Sequence, residues 1–456
     1  MSSTSYDVVV LGAGSGGYAV ALRSAQLGKK VALIEGDKVG GTCLHRGCIP
    51  TKAMLHVAEA VEEIKDAEKL GIFASYDGVD LEVVGSYRQK TIDQLHKGLQ
   101  GLIASRKIDV ITGWGRLVDN HTVEVDGQKI TGESVVLATG SYSKSLPNLP
   151  IEGRVITSEQ ALQLTWVPRR AAILGGGVIG VEFASLWASL GAEVTIIEGL
   201  PHLVNNEDID IAKGLEKQFK ARKIAFKTKT MFKGVTQDDS GVHVETDKGD
   251  VIDADLLLVA VGRGPRTQDM GFEEAGVKLD RGFVPVDENL QTSCEGVYAV
   301  GDIVPGLQLA HRGFAQGIYL AEKLAGLNPA PLIEANIPRV TFCNPEIASV
   351  GLTQAQAEEE YGKDKVKTQV FNLAGNGKSQ ILGTGGLVKL VSVADGPIVG
   401  FHALGKRMGE QIGEGQLMVN WEAYAEDVAA LIHAHPTQNE SIGEAAMALA
   451  GKPLHN

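Results

Sequence analysis

At 456 residues the chain has room for about three domains of roughly 150 residues each, and its 44% hydrophobic and 22% charged content suits an ordinary packed core. A net charge of −13 argues against nucleic acid or an anionic membrane surface as partner, and no apolar run approaches the ~18 residues of a membrane span. Four cysteines in this length do not make a disulfide scaffold, so a reducing cytoplasm is the expected setting.

The first residues, 1–6, are too short and polar for a secretion signal and lead straight into a strand. An apolar run at 8–11 opens the segment 11–35, LGAGSGGYAVALRSAQLGKKVALIE, which reads as strand, glycine turn, helix, strand. The run GGTCLHRGCIPTK follows at 40–52, with Cys43 and Cys48 inside it, and Pro50 suits the first turn of a helix continuing over 51–70. Residues 113–133 alternate like a small β-meander around Asp126-Gly127. Residues 134–140, SVVLATG, then read as a buried strand. Pro147 and Pro150 mark a crossover near 148–153.

Residues 174–198, LGGGVIGVEFASLWASLGAEVTIIE, repeat the first segment at equal length. Gly12, Gly14 and Gly17 correspond to Gly175, Gly177 and Gly180, and Glu35 to Glu198. In this fingerprint one glycine makes the tight turn, one lets the backbone approach a pyrophosphate and one lets helix pack on strand; the acid receives a ribose diol. Residues 232–249 and 255–262 repeat the meander and the buried strand. A third strand–glycine element, 296–302, ends in Asp302, a candidate for the sugar chain of a bound dinucleotide. Beyond about 336 the pattern becomes α+β, with strands at 339–342, 387–393 and 398–404 and a mobile polar loop at 375–386. Near the end lies His433-Ala434-His435-Pro436-Thr437-Gln438-Asn439-Glu440.

Two fingerprints imply two dinucleotides. The first precedes the cysteine pair, and a dithiol beside a redox cofactor can pass two electrons, so it is assigned FAD. The second is assigned NAD, because Glu198 would repel a 2′-phosphate and no arginine follows it. A helix N-terminus at Cys48 and Lys52 one turn on favour the thiolate. Thiol oxidation also needs a base, and His435 oriented by Glu440 fits. His433 and His435 have no clustered companions that would make a metal site, and none is expected. Cys294 and Cys343 are read as core residues.

GGTCLHRGCIPTK, the two fingerprints, Ala138-Thr139-Gly140, VGRGPRT at 261–267, YAVGD at 298–302 and HPTQNE at 435–440 together resemble the flavoprotein pyridine nucleotide–disulfide oxidoreductases, and within them the dihydrolipoamide-oxidising branch. The resemblance covers about residues 6–449. It implies an α/β fold with two Rossmann-like dinucleotide-binding domains and a C-terminal α+β dimerisation domain: 1–146 for FAD, 147–264 for NAD, 265–335 completing the FAD site and 336–456 at the interface of a homodimer. It gives Cys43 the interchange with substrate, Cys48 the contact with the flavin, and His435 with Glu440 the proton transfer across the dimer. It assigns Gly12, Gly14, Gly17, Glu35, Thr42, Lys52, Thr139, Gly140, Gly301 and Asp302 to FAD. Gly175, Gly177, Gly180, Glu182, Glu198 and Gly262 fall to NAD, with Lys52 paired to Glu182 near the flavin. The implied partner is a lipoyl-bearing protein of a 2-oxoacid dehydrogenase complex or a glycine cleavage system. The rival is an NAD(P)H-dependent reductase of a small disulfide such as mycothione or glutathione. His45, Arg46 and Arg266 depart from the family's usual Asn-Val and Asn; an added positive charge beside the dithiol would lower its thiol pKa values or alter partner docking.

Overall fold

Parallel strands buried on both faces demand continuous apolar runs rather than alternation, and Val8, Val9 and Val10 at the first strand are at most 1% exposed. The computed structural model describes residues 5–455; residues 1–4, on which part of the N-terminal reading falls, and Asn456 lie outside them. Two compact units emerge. The first holds the residues up to Met54 with Asp80–Lys144 and Gly262–Glu334; the second holds Leu55–Val79, Ser145–Val261 and the residues from Ala335 onward.

In the first unit the parallel strands lie in the order Asp109–Thr112, Val31–Glu35, Ser5–Leu11, Gln128–Leu137, with Val297–Ala299 pairing alongside the last. Helix Ser15–Gln26 follows the glycine turn, and helix Ala310–Leu324 packs against it where Gly313 and Gly317 meet Gly16. The meander is present as Gly115–Asp119 and Thr122–Val125 leading into Gln128–Leu137. The separate strand expected from 134 is the second half of that ten-residue strand. Its early residues pair antiparallel with Thr122–Val125 and its later ones parallel with Ser5–Leu11, so one strand serves both layers.

The second unit repeats this plan. Its parallel strands run Ala225–Lys227, Glu193–Ile197, Arg170–Leu174, Leu256–Val259, Val155–Thr157. The fifth strand comes from before the fingerprint here and from far after it in the first unit. Strands Phe232–Asp238, Gly241–Thr246 and Val251–Ala254 form the matching antiparallel sheet.

The C-terminal part of the second unit is an antiparallel sheet in the order Arg339–Thr341, Glu346–Gly351, Ile398–Gly405, Leu387–Val393, Val366–Asn372. Two of these strands, Glu346–Gly351 and Val366–Asn372, have no counterpart in the sequence reading. The mobile loop expected at 375–386 is instead built structure: helix Gly377–Ile381 is capped by Asn376, whose Oδ1 accepts from the Ser379 N–H at 2.8 Å and hydroxyl at 2.9 Å. Asn376 and Ser379 are buried, and polar pairs that satisfy each other inside a fold leave no hydrophobic signature to read.

Candidate active site and nucleotide cradles

The first cradle is built by backbone. Gly12 has φ +103°, and a Cβ there would stand 2.3 Å from the Ala138 carbonyl oxygen; one on Gly17 would stand 1.8 Å from the oxygen of Gly12. Neither position admits a side chain. Gly14 caps helix Ser15–Gln26 without a side-chain bond, so the first N–H groups face outward, the arrangement that receives phosphate. Glu35 is fixed through both oxygens, accepting the N–H of Ala13 at 2.8 Å and of Asp37 at 2.9 Å. Gly12, Gly14, Glu35, Thr42, Thr139 and Gly140 line one cavity. Open backbone, outward N–H groups and a held ribose acid are what the phosphates and sugar of FAD require. Asp302 accepts from the Ser141 hydroxyl at 2.5 Å, Ser141 also lines the cavity, and the Gly301 N–H bonds the buried Gln316 at 2.8 Å.

The redox loop is tied to this turn: the Gly40 N–H bonds the Ala13 carbonyl at 2.8 Å. Cys43 lies on the short helix Gly41–His45, and Cys48 opens helix Cys48–Asp66, with Pro50 in its first turn. Both are thiols, and they share a hydrogen bond. That bond, then burial and the Cys48 charge, push the Cys43 thiol well up; Lys52 pulls the other way and Asp302 adds to the rise. Two coupled sulfurs lose their protons in two steps that belong to the pair. The expected lowering by positive charge does not win at Cys43. Arg46 is engaged in an ion pair with Asp37, and the His45 ring bonds the Val39 carbonyl at 2.9 Å.

The second cradle copies the first. A Cβ on Gly175 (φ +107°) would stand 2.4 Å from the Ala260 oxygen, and one on Gly180 1.9 Å from the Gly175 oxygen. Gly177 caps helix Val178–Ser189, again without a side-chain bond. Glu198 accepts the N–H of Gly176 at 2.5 Å and of Leu200 at 2.7 Å, the same two offsets as Glu35. These features suit the phosphates and ribose of NAD. Glu182 is 3% exposed and accepts the Phe342 N–H at 2.9 Å. Gly262 begins the return of the chain into the first unit.

His435 bonds Glu440 through Nδ1 at 2.8 Å, and the other Glu440 oxygen accepts the Thr437 N–H at 2.8 Å. Burial raises the Glu440 carboxyl, but these two bonds outweigh it and hold it below its ordinary range. A carboxylate on Nδ1 fixes the tautomer that leaves Nε2 as acceptor, and His435 is 78% exposed. Asn376 donates to the Thr437 carbonyl at 2.9 Å, so the misread loop secures this segment. His433 is occupied by Glu414 at 2.8 Å. Among the described residues no group of three or more His, Cys, Asp or Glu could hold a metal.

Residues 6–317 match the family model described as pyridine nucleotide-disulphide oxidoreductase, and residues 337–446 match that family's dimerisation domain. The chain belongs to this family. As one of the pyridine nucleotide-disulphide oxidoreductases it is an FAD- and NAD-using enzyme. It is 38% identical to a dihydrolipoyl dehydrogenase of Bacillus subtilis over 99% of this chain and 100% of that one. It is also 38% identical to one of Thermus scotoductus over 99% and 98%. Among solved structures, LpdA of Mycobacterium tuberculosis superposes with a TM-score of 0.91 at 26% identity, covering 97% of this chain and 99% of that one. The HOCl-induced flavoprotein disulfide reductase RclA of Escherichia coli, solved as a Cu(II) complex, gives 0.87 at 26% over 98% and 99%.

Within the oxidoreductase site several residues carry no role in the sequence reading, although Arg263 and Arg266 stand inside its VGRGPRT run. Tyr18, on the fingerprint helix, has its hydroxyl pushed up to about 12 by burial and then by Cys43 and Cys48, so it keeps its proton beside the sulfurs. Arg263 donates from Nε to the Ser141 hydroxyl at 2.7 Å, extending the Asp302–Ser141 chain. Trp114, Arg266 and Met270 line the first cavity. Their partners lie far away in sequence, where no local pattern could announce them. Cys343 is buried, its thiol pushed up by burial and Glu182, and Cys294 packs half-buried against the core. Among the described residues no helix is long and apolar enough to cross a membrane.

Proposed function

We propose that this enzyme oxidises the dihydrolipoamide of a lipoyl-bearing protein and reduces NAD, relaying the electron pair through a Cys43–Cys48 disulfide and FAD in the first cradle. The observation that carries the reading is the hydrogen-bonded Cys43–Cys48 pair on a loop fastened to the fingerprint turn, with Cys48 at a helix N-terminus. The names of the dihydrolipoyl dehydrogenase relatives support the substrate. Residues 1–146 bind FAD, 147–264 NAD, 265–335 complete the FAD site and 336–456 make a homodimer interface; the dimerisation-domain match supports the last. The acidic chain and the thiol pair fit the cytoplasm.

In the oxidised enzyme a substrate thiolate attacks the Cys43 sulfur and the sulfur–sulfur bond breaks, leaving Cys48 as thiolate. The second substrate sulfur then closes the lipoamide ring and expels Cys43. Two substrate thiols are oxidised, one disulfide is reduced and two protons are released. His435 of a partner copy takes the first proton, and Glu440 stabilises the imidazolium. The helix N-terminus and Lys52 hold negative charge at Cys48. FAD, when bound, supplies the two-electron acceptor that hands the pair to NAD.

Cys48→Ser should abolish dihydrolipoamide oxidation while the protein stays yellow; normal turnover in that variant would refute the dithiol role. The likeness to the flavoprotein disulfide reductase RclA favours a second reading, NAD(P)H-dependent reduction of a small disulfide. Turnover of dihydrolipoamide against mycothione and glutathione disulfides, each with NAD(H) and NADP(H), separates the two, as it would a role beside a 2-oxoacid dehydrogenase or a glycine cleavage system if lipoyl proteins of each are compared.

A further inference from the structure

We propose that Arg339 and Lys389, two cations of the C-terminal sheet, are positioning residues for the nicotinamide nucleotide: they anchor the loop that braces the second cradle. This rests on the second cradle being the NAD site. The loop, residues 199–208, runs from the ribose acid Glu198 to helix Ile209–Ala221. Its near end is set in the cradle, where the Leu200 N–H bonds Glu198 at 2.7 Å. Its middle crosses the fingerprint turn. The Val204 N–H bonds the Gly176 carbonyl at 2.8 Å, and a Cβ on Gly176 would stand 2.5 Å from Leu203 Cδ2. Gly176 lies between the turn glycine Gly175 and the helix cap Gly177, so whatever fixes this crossing fixes the shape of the turn that receives phosphate.

The crossing is strained. Val204 has φ +43°, a left-handed conformation that a β-branched residue takes only where its surroundings over-determine it. The far end of the loop supplies that constraint. The Glu207 N–H bonds the Val204 carbonyl at 2.8 Å, and the Glu207 carboxylate, 5% exposed, accepts from Arg339 Nε at 3.3 Å. The next residue, Asp208, is buried and accepts from Lys389 Nζ at 2.9 Å and from the Asp210 and Gln354 N–H groups at 3.0 Å each. Further along the helix that Asp208 caps, Glu216 accepts the Leu203 N–H at 3.1 Å, so the anchor is carried back to the crossing. Across the sheet Arg339 stands opposite Ser349, Ser349 opposite His402, and His402 opposite Lys389, which puts both cations in one row on one face. Buried ion pairs are poor stabilisers beside apolar residues of the same volume, and their best-attested use is to fix register. Two of them on consecutive residues, meeting one row of a sheet, hold the loop at a single setting and keep Val204 over Gly176.

The test is stopped-flow reduction of the flavin in the holoenzyme over a range of NADH concentrations. Arg339→Met should raise the apparent NADH dissociation constant about 5- to 150-fold and leave the limiting rate within about twofold. Arg339→Lys keeps the charge and should retain most of the affinity. Glycine takes positive φ freely, so Val204→Gly removes the need for the anchor. Alone it should change the affinity little, and combined with Arg339→Met it should bring NADH binding back to within about threefold of the unaltered enzyme. A residue serving stability alone would not be rescued from inside the loop. Lys389→Met should act in the same direction; Arg339, on the edge strand of the sheet, keeps the test readable if that buried variant fails to fold. Unchanged NADH affinity in Arg339→Met, or a loss that Val204→Gly does not restore, would overturn the proposal. The underlying site assignment fails separately, if Gly180→Val is still reduced by NADH with undiminished affinity.

Discussion

The two nucleotide cradles are the same object made twice, and they differ only in what surrounds them. Each holds its turn glycine against the carbonyl of a neighbouring strand and its third glycine against the first. Each fixes its acid through N–H groups at the same two offsets. Around the first lie the cysteine loop, Trp114 and Arg266; around the second, Gly176 faces Leu203 and Gly199 faces the Met231 sulfur. Backbone geometry thus makes the two turns alike, and what differs between them is the side chains beyond.

The harshest way to break this comparison is to fill the helix–turn contact in each copy. Gly17→Val should yield colourless protein. Gly180→Val should stay yellow and lose reduction by NADH, read from flavin absorbance on NADH addition. A swapped outcome would exchange the two assignments. Next in size is the base: His435→Ala should slow the thiol half-reaction by about 10²–10⁴, and a change under about threefold would place the base elsewhere. Because Glu440 is held below its ordinary carboxyl range, its ionisation adds no inflection to that half-reaction above about pH 4.3; stopped-flow rates against pH would show it.

Smaller is the effect of Lys389, fully buried in strand Leu387–Val393 and bonded to Asp208 at 2.9 Å, Asp210 at 2.6 Å and Gln354 at 2.8 Å. Lys389→Met strands the buried Asp208 and should cost the second unit about 3–5 kcal/mol in denaturant unfolding while flavin binding in the first persists. Burial raises the Asp208 carboxyl, but Lys389 and two N–H bonds outweigh it and the net shift is downward. Its contribution is therefore present above the unfolded value near ~3.9 and lost as pH falls through the lower folded one. The smallest effect is at Glu198→Gln, which should weaken NAD and narrow its advantage over NADP by roughly tenfold, measured as the ratio of kcat/KM values.

The glycine repeat and the cysteine run were legible because each residue type there answers a backbone or redox requirement that nothing else meets. The C-terminal sheet was half legible. Leu387–Val393 and Ile398–Gly405 are apolar central strands, whereas Val366–Asn372 lies at the edge and mixes polar residues throughout. Lys389 in LVKLVSV looks like an outward residue and is instead an interior ion, a fact that rests on Asp208 181 positions away. The Asn376–Ser379 turn reads as a loop in the sequence because its polar atoms satisfy one another only in the fold. Trp114 and Arg266 sit 152 positions apart, meeting only in the fold.

Anaerobic titration with NADH, counting reactive thiols while following flavin absorbance, tests the relay most directly. The first equivalent should release two thiols per chain, and Cys48→Ser should release none. A flavin that bleaches fully while Cys43 and Cys48 stay joined would contradict the account.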